Sequence, residues 1–475
     1  MNGLWQAPPG KALEPATRTT SNFVSASGKR NGPACRFFDR PLGFSLVELL
    51  VVLAITLQVQ GASNAQLART VAQIDQARVF KLAGQALELK APTITAYFAT
   101  NSEGGPHDFY SQSDYFWPNP TNSNGLPYIG RDGETNPDNF DYHRMAMRDM
   151  KDAVAALAAA YALNGDQSYV AKAAELLRAF FLDEKTKMNP NLNYAQAVLG
   201  KWPGTSWGVI DTLHLAEVPV AVGFLEKASN FPLALDRGLK KWFADYLDWM
   251  TTSTNGVKEM NAANNHSIAY FVQAASFARF TGNAKLLNFS RNRFKEVLLP
   301  KQMAEDGSFP LELRRTKPYG YSIFQADNVA TLCVLLSTPR EDMWRLGLRD
   351  GRSPELAIDF IYPYLADKSK WVRDGRAKDV MHWDNWPMRQ PCLLFAYAAF
   401  GDPKYFALWK RLDADPTDLE IRRNVAITQP LLWIAAPEDI PLLNRNHSEV
   451  IGGNRNQSEA KRPFHKPNLS ATAHG

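Results

Sequence analysis

Residues Asn261–Asn283 of this 475-residue chain read NAANNHSIAYFVQAASFARFTGN, an apolar run that ends in Gly282-Asn283. The run is typical of a helix, and Ala284–Leu298 continues with a second helical pattern. Glycine can end a helix because it adopts positive φ, and the adjacent Asn283 can satisfy free backbone groups at the turn. The stretch therefore predicts two helices joined by a tight turn.

The same pattern of helix, glycine turn and helix recurs at intervals of about 118 residues. Further helical pairs fall between these turns, and no run of alternating strands is evident. We therefore expect an all-α fold, an incomplete (α/α) toroid of about five to seven hairpins. A repeat scaffold without a catalytic site is the alternative. The other predicted pairs are 149–161 with 169–181 across Asn164-Gly165-Asp166, 392–400 with 405–412 across Gly401-Asp402-Pro403, and pairs within 208–251 and 322–366.

Composition and charge exclude several classes of protein. With 45% hydrophobic and 21% charged residues, the chain is long enough to bury a large core. Six basic and three acidic residues within 1–65 account for +3 of the net charge of +5. The remaining balance of about +2 does not suggest a nucleic-acid partner, but it is compatible with a locally basic cleft for an acidic polymer. Cys35, Cys333 and Cys392 make no disulfide scaffold.

The N-terminal residues predict export from the cytoplasm. The apolar run Leu46–Val59 follows two arginines and precedes the small residues Gly61–Ala65, as in a signal cleaved after Ala65. The overlapping stretch GFSLVELL at Gly43–Leu50 resembles the processing site of type IV prepilins. Because polar residues soon interrupt the apolar run, we favour ordinary export to the periplasm or the medium. An inner-membrane tether through residues 44–60 is the alternative.

These patterns divide the chain into three parts. Residues 1–65 are expected to be a disordered leader with the export signal. Residues 66–443 are expected to form the toroid, and 444–475 a disordered, polar tail. We expect a monomer without a stable membrane span in the mature form.

Polar and aromatic side chains are concentrated in two long loops. Asp108–Asp132 reads DFYSQSDYFWPNPTNSNGLPYIGRD, and Met188–Gly200 reads MNPNLNYAQAVLG. Long structured loops in a compact domain tend to be functional, and aromatic rings pack on the apolar faces of sugars. The candidate sugar contacts are Tyr115, Trp117, Asn189, Asn191, Tyr194 and Gln196.

Two adjacent hairpins contain the groups needed to remove a proton next to a sugar carboxylate. Asn264, Asn265 and His266 stand at the start of the central helix. The stretch Asp306–Phe324, DGSFPLELRRTKPYGYSIF, brings two guanidiniums and two phenols together. These are Arg314, Arg315, Tyr319 and Tyr321.

Uronic-acid polymers can be cut by β-elimination, in which a base removes H5 and O4 departs as the C4=C5 bond forms. Amide and guanidinium donors can neutralise the carboxylate without titrating. In β-D-mannuronate and β-D-glucuronate, H5 and O4 lie on one ring face, so a single residue can act as base and acid. We predict Tyr321 in that role, with His266 polarising or replacing it. In guluronate the two atoms lie on opposite faces, and His266 would be the second group.

Each of these residues also has a purely structural interpretation. His266 could be a donor at a helix N-terminus, and Asn264 or Asn265 could be an N-cap. The two arginines could pair with Glu312 on a solvated face, and Tyr321 could belong to the core. The enzymatic hypothesis gains support because all four functional types fall in adjacent hairpins.

The chain resembles the alginate lyase superfamily, within it the branch acting on mannuronan or glucuronan. The resemblance spans roughly residues 105–370. It rests on SDYFWPNP with GLPYIGRDGETNP, MNPNLNYAQAVLG, WGVIDT, NNHSIAYFVQAASFARFTGN and DGSFPLELRRTKPYGYS.

The resemblance implies a polysaccharide lyase in which Asn265 neutralises the carboxylate and His266 is a base or its partner. It further implies that Arg315 stabilises charge and that Tyr321 is the acid. Arg314 also fits the family spacing, but Thr316 follows Arg315 as in the family pattern. Pro318, Gly320 and Val198-Leu199 depart from that pattern at positions that bear on subsite specificity.

Two other functions remain to be distinguished from a lyase. A glycoside hydrolase on the same scaffold would need a carboxylate pair, for which Asp211, Glu312 and Asp384 are available. A non-catalytic glycan-binding or pilus-associated protein would bind polymer without forming products. His214 and Glu217 have the spacing of metal ligands without an evident third, so we predict a metal-independent reaction without a cofactor. The choice between mannuronan and glucuronan stays open.

Overall fold

A computed structural model describes the backbone of residues 46–440 and the side chains of residues 64–440. The prepilin-like stretch, the residues before it and the predicted tail therefore lie largely outside the described residues. The α-helices are α1 (Leu46–Leu87), α2 (Tyr142–Asn164), α3 (Gln167–Phe181), α4 (Glu217–Leu225), α5 (Leu233–Thr252), α6 (Thr254–Met260), α7 (Asn265–Thr281), α8 (Ala284–Arg293), α9 (Leu299–Gln302), α10 (Pro310–Leu313), α11 (Pro318–Leu336), α12 (Pro354–Ala366), α13 (Ser369–Arg373), α14 (Pro391–Phe400), α15 (Pro403–Arg411), α16 (Leu419–Asn424) and α17 (Leu431–Ile434).

Short elements of other types connect these helices. 3-10 helices span Ile94–Ala96, Ser206–Ala216, Met343–Arg345, Trp383–Asn385 and Pro437–Asp439, and a π-helix spans Phe294–Leu298. The strands are β1 (Tyr110–Gln112), β2 (Phe116–Trp117), β3 (Ile129–Gly130) and β4 (Tyr194–Ala197). The first part of the region predicted as a helical pair at 208–251 is thus a 3-10 helix that leads into α4.

The three predicted glycine turns are confirmed. Gly165, Gly282 and Gly401 each follow a helix with φ of 72°, 73° and 72° respectively. In each turn the next helix is capped by an acidic or amide side chain that accepts a hydrogen bond from a backbone N–H. These caps are Asp166, Asn283 and Asp402. Glycine relieves the strain of the left-handed residue, while the cap satisfies a free donor at the start of the following helix.

Successive inner helices build the core of the toroid. Helix α2 packs on α4, α4 on α7, α7 on α11 and α11 on α14. Helices α3, α8, α12 and α15 return along the outside, each packed on the inner helix that precedes it. Most residues of α7 and α11 are buried, which explains why their sequences are apolar on all sides. This arrangement confirms the predicted all-α toroid.

The two pairs of short strands lie in the loops that the sequence marked as long and polar. Strand β1 pairs in parallel with β4, which joins the loop after Asp108 to the loop after Met188. Strands β2 and β3 form a small antiparallel pair within the first loop. These pairings tie the two loops to each other and brace the first loop internally.

Helix α1 links the beginning of the domain to its end. The Asp75 carboxylate lies 2.8 Å from Arg389, and the Arg78 guanidinium lies 2.7 Å from Asp415. Arg78 also donates to the Thr428 carbonyl oxygen at 2.9 Å. Among the described helical stretches, Ser206–Leu225 has the length and apolar composition of a membrane span, but most of it is buried inside the protein. Burial of this kind is typical of a core helix.

Candidate active site

The Tyr321 hydroxyl is the centre of a hydrogen-bonded cluster in the first turn of α11. Arg315 Nη2 lies 2.9 Å from the Tyr321 oxygen, and the Tyr115 hydroxyl oxygen lies 2.8 Å from it. The Arg315 guanidinium also covers the Tyr321 ring, 4.1 Å from the ring centre. Burial raises the pKa of Tyr321 well above its ordinary value, against the opposing effect of the Arg315 and Lys317 cations.

Asp132 holds Arg315 in this position. Its carboxylate accepts from Arg315 Nη2 at 2.6 Å and from Nε at 3.2 Å, a two-point contact that fixes the plane of the guanidinium. The Thr316 hydroxyl donates to the same carboxylate at 3.0 Å. Burial opposes ionisation of Asp132, but the hydrogen bond and charge of Arg315 and the hydrogen bonds of Thr316 together outweigh it and lower the pKa of Asp132. The loop containing Asp132 thereby orients the cation beside the phenol.

His266, in the first turn of α7, is paired with a carboxylate. Its Nδ1 lies 2.6 Å from Glu259 Oε1, and Glu259 is almost fully buried on α6. Although burial favours the neutral imidazole, the Glu259 carboxylate outweighs it and raises the pKa of His266. The pair resembles the base-and-orienter arrangement of acid–base catalysts, with Nε2 left for a substrate.

The two amides beside His266 differ in their surroundings. Asn265 is buried, and its backbone N–H and Nδ2 both donate to Glu312, at 2.8 and 2.5 Å. Its side-chain oxygen has no hydrogen-bond partner among the described residues. Asn264 is half-buried at the N-cap of α7, and its side chain makes no capping hydrogen bond. The N-cap interpretation therefore fits the backbone position of Asn264 but not the use of its side chain.

The short segment from α10 to α11 connects the imidazole and phenol clusters. Glu312, in α10, binds Asn265. Arg315, only three residues after Glu312, binds Tyr321. The Arg315 charge also opposes protonation of His266, so it affects both candidate proton-transfer groups. The structure thus gathers all four predicted catalytic residues around one segment of chain.

A cleft opens beside Tyr321, and much of its wall comes from the C-terminal part of the domain. Gly320 lets Trp386 and Asp379 pack closely against α11, because a side chain there would meet Trp386 Nε1 and Asp379 Oδ2 at 3.0 Å. Burial raises the pKa of Asp379 to about 6. The lining residues are Lys317, Gly320, Tyr321, Asp379, His382, Trp386, Glu420 and Asn424.

Two predicted substrate contacts have their side chains directed into the protein. Tyr319 is fully buried, and its hydroxyl donates to the Tyr364 carbonyl oxygen at 2.9 Å. Gln196 is buried, and its Nε2 donates to Asp211 at 2.7 Å. The structure contradicts a substrate-binding role for Tyr319, because a core side chain cannot reach a sugar. Gln196 instead ties β4 to the scaffold at a strained positive φ of 47°.

The other predicted contacts lie at or near the surface. Asn189 Nδ2 donates to Asp108 at 2.8 Å and so joins the second long loop to the first. Asn191 accepts from the Asn193 backbone and so stabilises its own loop. Tyr194 and Trp117 are half-buried, and the Arg131 guanidinium covers the Trp117 ring at 5.0 Å. Tyr115 lies within the phenol cluster rather than apart from it. Arg314 is exposed.

Several residues of the site were missed from the sequence. Glu259 lies on a separate helix, seven residues before His266, and no spacing rule relates the two. Asp132 stands within a quoted family landmark, but no local pattern distinguishes it from its neighbours. Glu420 and Arg423 come from α16, about 100 residues after Tyr321, in a region without any sequence pattern that indicates a site.

Of the carboxylates considered for a hydrolase, two are hydrogen-bonded to neighbouring side chains and the third is exposed. Asp211 accepts from Ser111 and Gln196, Glu312 binds Asn265, and Asp384 is exposed on a 3-10 helix. Of the pair considered as metal ligands, His214 bonds to the Arg423 carbonyl oxygen, while Glu217 pairs with Lys151 at 3.0 Å. These side chains have structural partners.

The alginate lyase family model matches residues 93–371, which is more than half of the chain. The chain belongs to the alginate lyase family. A crystal structure of an alginate lyase from Bacteroides ovatus is 32% identical, with a TM-score of 0.69 over 78% of this chain and 97% of that one. No match was found among curated proteins.

A more distant structure is alginate lyase A1-III from Sphingomonas species A1, which is 18% identical to this chain. The alignment covers 69% of this chain and 86% of that one, with a TM-score of 0.45. Family membership rests on the model match and the Bacteroides structure, and it confirms the prediction that this alginate lyase family member is a polysaccharide lyase.

Proposed function

We propose that this lyase cleaves alginate or a related uronic-acid polymer by β-elimination, with Tyr321 as both base and acid. The observation that carries the proposal is the placement of the Tyr321 oxygen between Arg315 at 2.9 Å and the Tyr115 hydroxyl at 2.8 Å. Both neighbours can donate to a phenolate. The similar protein from Bacteroides ovatus is an alginate lyase, which supports the substrate class.

In the proposed reaction the Tyr321 phenolate takes H5, and the electron pair of the C5–H bond forms the C4=C5 bond. The C4–O4 bond then breaks, and the same phenol returns its proton to O4, which restores the phenolate. This sequence suits mannuronate and glucuronate, whose H5 and O4 share a face. On guluronate, His266 would remove H5 while Tyr321 protonates O4.

Charge on the substrate carboxylate must be held as the proton leaves. Asn264 and the second amide hydrogen of Asn265 are proposed donors, with Glu312 fixing the orientation of Asn265. Arg315 and the exposed Arg314 provide positive charge on the other side. Donors of this kind typically contribute about 10²–10³ in kcat. Trp117 and Tyr194 are proposed to contact neighbouring sugars.

The test is incubation of the purified protein with mannuronan, guluronan and glucuronan while the ultraviolet absorbance of the C4=C5 bond is followed. We expect absorbance to increase, fastest on a polymer whose H5 and O4 share a face. New reducing ends that form without an increase in this absorbance would indicate a hydrolase. Polymer binding without any products would indicate a glycan-binding protein. The proposed chemistry uses side-chain donors alone, so reversible loss of activity on exhaustive chelation would contradict metal independence.

We also propose that the protein is exported and acts as a monomer in the periplasm or medium. The apolar segment near the N-terminus supports export. Mass spectrometry of the mature N-terminus distinguishes the routes, because signal cleavage leaves Gln66 first and prepilin processing leaves Phe44 first. Light scattering of the mature protein tests the monomer.

A further inference from the structure

Helix α16 lies beyond the residues matched by the family model, yet it reaches the two phenols of the site. Arg423 Nη2 donates to the Tyr115 hydroxyl oxygen at 3.2 Å. Lys317 Nζ lies 4.8 Å from the centre of the Tyr115 ring. Glu420 binds both cations, with an oxygen 2.8 Å from Arg423. The phenol pair therefore lies beside two further cations in addition to Arg315.

The cations belong to a buried row of alternating charges. Arg144 binds Asp114 at 2.9 Å, Asp114 binds Arg423, and Glu420 joins Arg423 to Lys317. Burial opposes ionisation of Glu420, but Arg423 and Lys317 outweigh it and lower the pKa of Glu420 to about 2. Arg144 and Arg423 likewise outweigh burial and lower the pKa of Asp114, so the row stays charged at neutral pH. Arg144 is balanced further by Asp141 and Asp211, whereas Arg423 and Lys317 are the two cations of the row that contact the Tyr115 phenol.

The two hydroxyls share a hydrogen bond of 2.8 Å, so the first proton they lose leaves one negative charge on the pair. We infer that Arg423 and Lys317, fixed by Glu420, are positioning residues that stabilise this negative charge and so keep Tyr321 able to accept H5. This inference rests on the proposed function. The C-terminal part of the domain would then complete the catalytic machinery rather than only close the fold.

Four other ionisable groups lie near the phenols. Arg315 and Asp132 approach Tyr321 from the loop side, whereas Asp379 and His382 line the cleft. None of these four contacts Arg423 among the described residues. Replacing Arg423 therefore tests the row of charges with little change to the surroundings of these four groups.

The experiment measures kcat against pH for Arg423→Gln and for the matched variant Arg422→Gln. Arg422 is the adjacent residue of α16, but it pairs with Asp152 at 2.9 Å instead of the phenols. We expect the rising alkaline limb of Arg423→Gln to move up by about one pH unit, which is about tenfold in rate at neutral pH. Arg422→Gln should leave the limb in place. Arg423→Lys keeps the positive charge, so its limb should lie close to that of the wild-type protein.

A second comparison shows whether Arg423 acts through the Tyr115 hydroxyl. In Tyr115→Phe, adding Arg423→Gln should move the limb much less than it does in the wild-type protein, because the two changes remove one interaction. Equal loss of kcat at every pH, an increase in KM alone, or additive effects would overturn the inference. If the unmodified protein forms no C4=C5 product on any polyuronate, the proposed function fails instead. Melting curves confirm that each variant is folded.

Discussion

The Tyr321 oxygen is subject to opposing influences. Burial and the neighbouring phenol raise its pKa, while the Arg315 and Lys317 cations oppose that rise. A phenol with an elevated pKa is a strong base once deprotonated, which suits removal of a weakly acidic carbon proton. The cations favour the deprotonated form. If this balance drives the reaction, kcat should rise with pH until the phenol pair is ionised.

Replacing Tyr321 by Phe should lower kcat by about 10²–10⁴ while the protein still binds polymer, because the ring stays and the proton-transfer group is lost. Tyr319→Phe is the matched control, since it removes a hydroxyl bonded to the Tyr364 carbonyl oxygen in the core. It should cost about 1 kcal/mol of stability and change kcat less than about twofold. Ultraviolet product assays and melting curves check both, and similar kcat losses would contradict the assignment.

Glu259→Gln should lower the pKa of His266, because the Glu259 carboxylate is what raises that pKa against burial. A group with a raised folded pKa stays protonated to higher pH, so removing its partner frees the neutral imidazole at lower pH. If neutral His266 takes part, the acid limb of kcat/KM should move to lower pH. Glu184→Gln, an exposed surface change, should not move it. An unmoved limb in Glu259→Gln would exclude His266 as the titrating group.

The positions of Tyr319 and Tyr321 follow from helical geometry, although the sequence analysis treated both as site residues. Each residue of an α-helix turns by about 100°, so residues two apart face nearly opposite sides. Once α11 was assigned, only one of the two tyrosines could face the groove. The burial of Gln196, by contrast, depends on the pairing of β4 with β1, and no local pattern predicts that contact.

At the scale of elements, the helical hairpins were predictable because their signals are local. Apolar runs indicate the helices, and a glycine beside Asp or Asn indicates each turn. The strands were not predicted, since segments of two to four residues are too short to show alternation. Likewise, the contacts of α16 with the phenols join residues that are far apart in sequence, and only the closed toroid brings them together.

Gly282→Ala and Gly223→Ala should change stability in opposite directions. An added Cβ would meet nothing within 4 Å at either position, so packing does not distinguish them. Gly282 has φ of 73° at the α7–α8 turn, where alanine is strained by about 1 kcal/mol. Gly223 lies inside α4, where alanine should gain about 0.5–1 kcal/mol. Calorimetry should show melting temperatures shifted by ~1 °C, down and up respectively. Equal shifts would contradict the explanation.

At the scale of the whole molecule, buried carboxylates make stability depend on pH. Asp327, in the inner helix α11, accepts from the Cys392 backbone at 3.0 Å, and its other oxygen has no partner among the described residues. Burial raises the pKa of Asp327 to about 7. In the folded protein Asp327 therefore keeps a proton that it releases at about pH 4 in the unfolded chain. This group's contribution to the free energy of unfolding falls between about pH 4 and pH 7.

Asp327→Asn should remove the loss of stability that Asp327 causes as pH rises, because asparagine is neutral and keeps the acceptor for Cys392. The variant should gain stability relative to the wild-type protein as pH rises from about 5 to about 8, measured as the difference in melting temperature at each pH. Asp245→Asn, on the exposed face of α5, should show no such trend. A constant difference between Asp327→Asn and wild type would contradict an elevated pKa at Asp327.

The ion pairs of α1 with Arg389 and Asp415 have a consequence for how the molecule unfolds. Open arrays of helical hairpins can fray from either end, because each repeat contacts only its neighbours. Here the first helix of the domain is fastened to the last segments, so neither terminal hairpin can detach without breaking contacts at the opposite end. The described domain should consequently melt in one cooperative step, and a cut in α1 should loosen the C-terminal wall of the groove.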